Sequence, residues 1–175
     1  MGIPGNRQDR YEALYDVCGV AARNTVRAYF PVESTEILDV GACWGKYRDL
    51  LPEYEMDACE VWEPYIVAER LDERYRKVWH CDVMDVDLSQ YSLVIFGDVL
   101  EHLSASEAQV AIKTSPRAVV VVPYEYEQGP EDGNPFETHL QDDLTEGLMR
   151  VRYPELTNVF TEWRGKREFK GVWLK

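Results

Sequence analysis

The segment Glu36–Gly45, EILDVGACWG, constrains this chain more than any other stretch. Apolar residues lead into Asp39, and Gly41 and Gly45 then bracket a tight turn. A parallel strand hands over to a helix in this way, and the backbone N–H groups of such a turn face a nucleotide-like ligand. The plainer reading is a strand-to-helix turn that is merely tight. Gly41-Ala42-Cys43-Trp44-Gly45 lacks the middle and last glycines of the dinucleotide fingerprint, which weighs against NAD.

The remaining chain fits around that turn. Tyr11, Leu14, Tyr15, Cys18, Ala21, Ala22 and Val26 recur at helical steps, predicting a helix over 9–29 that Pro31 ends and Gly19 could split in two. Strand-like runs follow at 37–40, 56–59 (interrupted by Asp57), 77–81, 93–96 and 118–122, with helical stretches at 46–51, 64–74 and 106–113. Short apolar strands spaced by helices predict an α/β fold around a parallel sheet with both faces covered. The tract 123–140, with three prolines and five acidic residues from Glu125 to Glu137, reads as a loop over the sheet's carboxyl edge, where α/β proteins bind ligands. A short helix over 141–148 and a hairpin around Gly165, from strands near 158–163 and 168–174, complete the pattern. One antiparallel strand is therefore expected at an edge of the sheet. The organisation is an N-terminal arm and helical cap over 1–35 and a ligand-binding domain over 36–175.

With 32 acidic against 19 basic side chains, the formal charge is -13. That field disfavours nucleic acid and anionic lipid as partners and suits a small-molecule enzyme. The four cysteines form no CxxC pair and the three histidines are scattered, so no metal site is expected. No signal-like or membrane-spanning run is seen, and a cytoplasmic, reducing setting is the expectation.

Several side chains stand where chemistry would be. Glu60 ends the second strand, 19 residues after Gly41, where an acid can accept both hydroxyls of a ribose; otherwise it is a surface Glu of an acidic protein. Asp82 and Val83 end the third strand, placed to accept from a purine amine and to pack on its ring, or to cap a turn. Asp98 and His102 share a face if 98–103 is helical. His102 is a proton carrier or a structural tie for its loop, and Ser104 is a helix cap. His139, at the end of the acidic loop, is the better substrate-side base, with packing as the alternative. Tyr124, Tyr126 and Phe136 could wall a substrate pocket. Trp44, Tyr47 and Tyr11 could shield a cofactor, whereas Trp62 and Trp79 look like packing residues.

Over about Ile37 to Lys175 the chain resembles the class I S-adenosylmethionine-dependent methyltransferases. ILDVGACWG resembles their first motif, with Cys43 where the family has its central glycine. Glu60 matches the acid on the ribose hydroxyls, and Asp82 and Val83 match the adenine-contacting pair. LVIFGDVLEHL is similar to the fourth-strand motif of the small-molecule branch, with Ser92 in place of a leading Asp. The resemblance implies a Rossmann-like three-layer sandwich with seven strands in the order 3-2-1-4-5-7-6, strand 7 antiparallel. It also implies S-adenosyl-L-methionine as cofactor, held by Asp39, Gly41, Cys43, Gly45, Glu60, Asp82, Val83, Asp98 and Tyr11. His139 and then His102 are the candidate bases toward a small-molecule acceptor whose identity stays open. A homodimer is possible. The competing readings are a non-catalytic cofactor-binding module or partner subunit, and a nicotinamide enzyme.

Overall fold

Residues 37–40, 93–96 and 118–122 are buried on both faces, and apolar but for Asp39, because helices cover both sides of the sheet they form. The computed structural model describes residues 16–131 and 133–175. Its seven strands are β1 (Glu36–Val40), β2 (Glu55–Cys59), β3 (Val78–Trp79), β4 (Leu93–Gly97), β5 (Ala118–Pro123), β6 (Thr157–Arg164) and β7 (Arg167–Leu174), in the order β3-β2-β1-β4-β5-β7-β6. Strands β1 to β5 pair in parallel, and β7 runs antiparallel to both β5 and β6. This is the seven-stranded order and single reversed strand of the Rossmann-like methyltransferase sandwich. The reversed strand is not at the edge, as the sequence pattern alone suggested. The hairpin folds back so that β7, with Val172 and Trp173 fully buried, takes the inner place, and the polar β6 takes the rim.

Strand alternation sorts the core into two halves. Leu38, Val94, Phe96, Val120 and Val122 face α5 (Ala105–Thr114) and α6 (Glu146–Arg152). Ile37, Ile95, Val119, Val121 and Val172 face α1 (Val17–Tyr29) and α2 (Lys46–Leu50). The helix α1 packs Cys18, Ala22 and Val26, each fully buried, against the sheet. It is continuous from Val17, with Asp16 capping the N–H of Gly19 at 2.6 Å. Gly19 does not split it: a Cβ there would stand 2.9 Å from Lys46 Cε, so the glycine admits the lysine that crosses the first turn. The part of this helix expected over 9–15 lies outside the described residues.

Three local expectations change. The helix expected over 64–74 is two, α3 (Glu63–Ala68) and α4 (Leu71–Arg74), because Arg70 adopts a left-handed φ of 52° between them. The last helix begins at Glu146 rather than Gln141. Thr145 caps it through the N–H of Leu148, while Gln141 turns inward to donate to Leu100 O and accept from Tyr153 Oη. Asp57 does not interrupt β2, since Arg76 and Tyr91 Oη bind its buried carboxylate.

Candidate functional site

The loops leaving β1, β2, β3 and β4 open into one cavity of about 360 Å³, closed on its far side by residues 134–140 of the loop after β5. That volume suits a small organic ligand.

The loop after β1 is shaped by three consecutive alternate residues in left-handed conformation: Gly41 (φ 64°), Cys43 (φ 48°) and Gly45 (φ 78°). A Cβ on Gly41 would stand 2.6 Å from Val99 Cγ2, and one on Gly45 would strike the guanidinium of Arg74. Arg74 occupies that space to bind Trp44 O at 2.7 Å and so clamps the turn from behind. Cys43, where the motif has glycine, accepts the strained φ and turns its N–H onto Glu60 Oε2 at 2.9 Å. Burial pushes its thiol well above the ordinary range, which favours the protonated form.

Glu60 is 4% exposed yet lines the cavity. Its two oxygens accept one backbone N–H each, from Cys43 and from Trp62 at 2.8 Å. Burial raises its pKa and those two bonds oppose the rise. Each oxygen keeps a lone pair for a further donor. Asp82 is exposed at the cavity and caps the N–H of Met84 at 2.9 Å, with buried Val83 beside it.

Asp39 is placed differently from the other candidates. It does not line the cavity; it lies buried beneath the loop and accepts from Tyr75 Oη at 2.6 Å. Burial pushes its carboxyl up to about 7, against that hydrogen bond. Its position on the opposite face of β1 from Leu38 and Val40 accounts for this, because alternate strand residues point apart.

Asp98 follows β4 with a left-handed φ of 60° and lines the cavity. Lys170 Nζ, from β7, donates to Asp98 Oδ2 at 2.7 Å, and Lys170 is 3% exposed. Burial opposes the charge on Asp98, but Lys170 and Lys46 outweigh it and hold the carboxyl below its usual range. Beside it, Tyr47 packs so closely on Gly97 that a Cβ there would be 2.0 Å from the ring. Tyr47 Oη is buried without a hydrogen-bond partner.

The histidines, far apart in sequence, meet. The rings of His102 and His139 stand edge to face with centroids 4.7 Å apart. The N–H groups of Leu140 and Gln141 both bind Glu101 O, at 2.7 and 3.0 Å, which anchors the end of the acidic loop on the segment after β4. His102 lines the cavity and His139 stands behind it. Burial lowers the pKa of both rings. Burial likewise drives the Glu101 carboxyl well above its normal range.

Of the aromatic candidates, Trp44, Tyr47 and Phe136 line the cavity, and Phe136 faces Trp62 at 6.2 Å between centroids. Tyr124 does not: its buried hydroxyl accepts from Trp173 Nε1 at 3.0 Å. Tyr126 is exposed and lies against His139. Trp79 is a packing residue, with Lys77 over its ring and its Nε1 on Tyr91 Oη. Tyr11 lies outside the described residues.

Sequence reasoning missed Lys46, Tyr65, Glu137 and Lys170. Tyr65 Oη donates to buried Glu137 at 3.0 Å, tying α3 to the acidic loop. One signal was available for Lys170: a lysine inside the apolar run Phe169–Leu174 needs a buried partner.

No family model matches the chain, and no curated protein matches it. Solved structures do. The PH0226 protein of Pyrococcus horikoshii superposes with a TM-score of 0.62 at 13% identity, covering 98% of this chain and 93% of that one. A TehB-like SAM-dependent methyltransferase from Corynebacterium glutamicum gives 0.62 at 16% identity, covering 96% and 92%. Magnesium protoporphyrin IX methyltransferase from Synechocystis, solved with bound SAM, gives 0.57 at 14% identity, covering 98% and 92%. At such identities the likeness establishes a shared fold. Among the described residues, no helix is long and apolar enough to cross a membrane.

Proposed function

We propose that this chain binds S-adenosylmethionine and transfers its methyl group to a small-molecule acceptor. The observation that carries the reading is Glu60: a buried carboxylate at the cavity wall, fixed by the two N–H groups of Cys43 and Trp62 and still able to accept from vicinal hydroxyls. The residues present fit the cofactor in a second respect. Tyr47 Oη is a buried polar atom without a partner, at the end of the cavity where Asp98 and Lys46 bring charge.

When bound, the cofactor supplies a methyl carbon on a positively charged sulfur, a group that leaves without further activation. What falls to the protein is placement and dryness. Glu60 would hold the ribose, Asp82 and Val83 the base, and the left-handed loop 41–45 would let backbone approach the ligand. Phe136 and Trp44 would exclude water. Of the two histidines proposed as bases, His102 is the one at the cavity, so it is the side chain that would meet the acceptor, with His139 positioned behind it.

A non-catalytic binding module would call for a filled acceptor end. His102, Pro135 and Phe136 line the same cavity as Glu60, which supports the enzyme reading. Calorimetric titration with S-adenosylmethionine and S-adenosylhomocysteine, with NAD as control, tests the reading. Binding of the first two, weakened in Glu60→Gln, supports it. Binding of NAD alone, or of none of the three, overturns it.

A further inference from the structure

We propose that Glu101, His102 and His139 form a binding site for a first-row divalent transition-metal ion at the acceptor end of the cavity. Each of the three offers a ligand atom, and these atoms all lie within 4.8 Å of one another. Ligand atoms sharing one ion at about 2.1 Å stand roughly 3 to 4 Å apart, so small side-chain rotations bring the set to bonding distance.

Three independent features point to an ion. The first is the state of the rings. His102 Nδ1 stands 3.3 Å from Thr138 O and His139 Nδ1 stands 2.6 Å from Tyr126 O. A carbonyl only accepts, so each Nδ1 carries the proton and each Nε2 is left with its lone pair. Metal-binding histidines are oriented in just this manner, one nitrogen donating to a carbonyl and the other free to ligate. The second is Glu101. It is 1% exposed, and its Oε2 is buried with no hydrogen-bond partner. An acid buried in this way lacks the donors that structural carboxylates collect. The third is the backbone: Leu140 and Gln141 bind Glu101 O, so the segment carrying His139 is fastened to the segment carrying the other two ligands.

Two imidazoles and a carboxylate suit zinc, cobalt, iron or manganese over magnesium or calcium, which favour all-oxygen sets. Three protein ligands leave coordination positions for water or another oxygen. His102 lines the cavity, so on the methyl-transfer reading those positions face the acceptor, which would then carry an oxygen donor, and His102 would serve there as a ligand in place of a base. The metal site itself does not rest on that reading.

The test is cobalt binding to the chelator-treated, dialysed full chain, with excess magnesium present to occupy the acidic surface. Equilibrium dialysis should give one tight Co²⁺ per chain, with visible d–d absorption that zinc displaces. His139→Gln and Glu101→Gln should each weaken binding by about tenfold or more and alter the absorption. Absence of tight cobalt binding to the wild-type chain overturns the proposal, as does undiminished binding in both variants. Circular dichroism checks the fold of each. Should Glu101→Gln not fold, His139→Gln, at a half-exposed position, decides alone. The measurement needs no S-adenosylmethionine, so its failure and a failure of cofactor binding are read separately.

Discussion

The two ends of the cavity are built on different principles. The end around Gly41, Glu60 and Asp82 is made by short loops at the carboxyl ends of adjacent parallel strands. Its decisive contacts are backbone ones, such as Cys43 N and Trp62 N on Glu60. The end around His102, Phe136 and His139 is made by a long loop that, among its described residues over 124–140, has no strand or α-helix of its own. Backbone bonds from Leu140 and Gln141 to Glu101 O fasten its end, and side chains tie the rest: Tyr65 on Glu137, Gln128 Nε2 on Glu137 O, His139 on Tyr126 O. An end framed by sheet geometry fits an invariant ligand, and an end tied by side chains can be reshaped residue by residue for a particular one.

Four substitutions probe this contrast. The largest effect is expected at Lys170, which joins the late strand β7 to Asp98 between the two ends. Lys170→Ala removes a buried cation from the partly buried Asp98 carboxylate and should cost about 3 kcal/mol, read from urea unfolding. Next is Asp39, under the backbone-built end. Its carboxyl binds a proton more tightly folded than unfolded, so its stabilising contribution is full below 3.8 and is lost as pH rises through about 7. Asp39→Asn should remove that slope. The stability of the variant relative to wild type should rise between about pH 4 and 7, by at most ~4 kcal/mol, and level off above that; unchanged parallel curves would contradict the assignment. Third, Glu60→Gln sets an amide N–H against a backbone donor and should weaken S-adenosylmethionine binding about tenfold, or ~1.4 kcal/mol, by calorimetry. The smallest effect is expected at the side-chain-built end. Tyr65→Phe should cost about 1 kcal/mol and speed amide exchange over 134–140 while leaving the loop 41–45 protected. Equal loosening of both loops would erase the distinction between the ends.

That distinction also governs what could be read without coordinates. Strand β1, the turn 41–45 and Glu60 declare themselves because the glycine spacing and strand pattern are local. The same locality gave the strand runs to within a residue or two for β1, β2, β4 and β5. What failed depends on distant chain. Asp57 looks like a flaw in β2 until Arg76 and Tyr91 arrive. The side of the sheet that Asp39 faces, and its bond to Tyr75, follow from where α4 leads the chain. The place of β7 inside the sheet follows from the packing of Trp173, which alternation within one hairpin does not encode. Most of all, His102 and His139 are separated by α5, β5 and the acidic loop, so counting residues between them shows scatter where space shows contact.

The pairing of Lys170 with Asp98 has a consequence for the order of events during synthesis. The polypeptide emerges from its N-terminus, so Asp98 is made some seventy residues ahead of its counter-charge. A nascent chain that has completed β5 possesses every loop of the backbone-built end, but its Asp98 has only Lys46 nearby and lacks its hydrogen-bonded counter-charge. Only when the β6–β7 hairpin lays β7 against β5 does the lysine arrive. Every residue that lines the cavity is thus made before the strand that neutralises one of them, so the pocket's walls precede its full balance of charge.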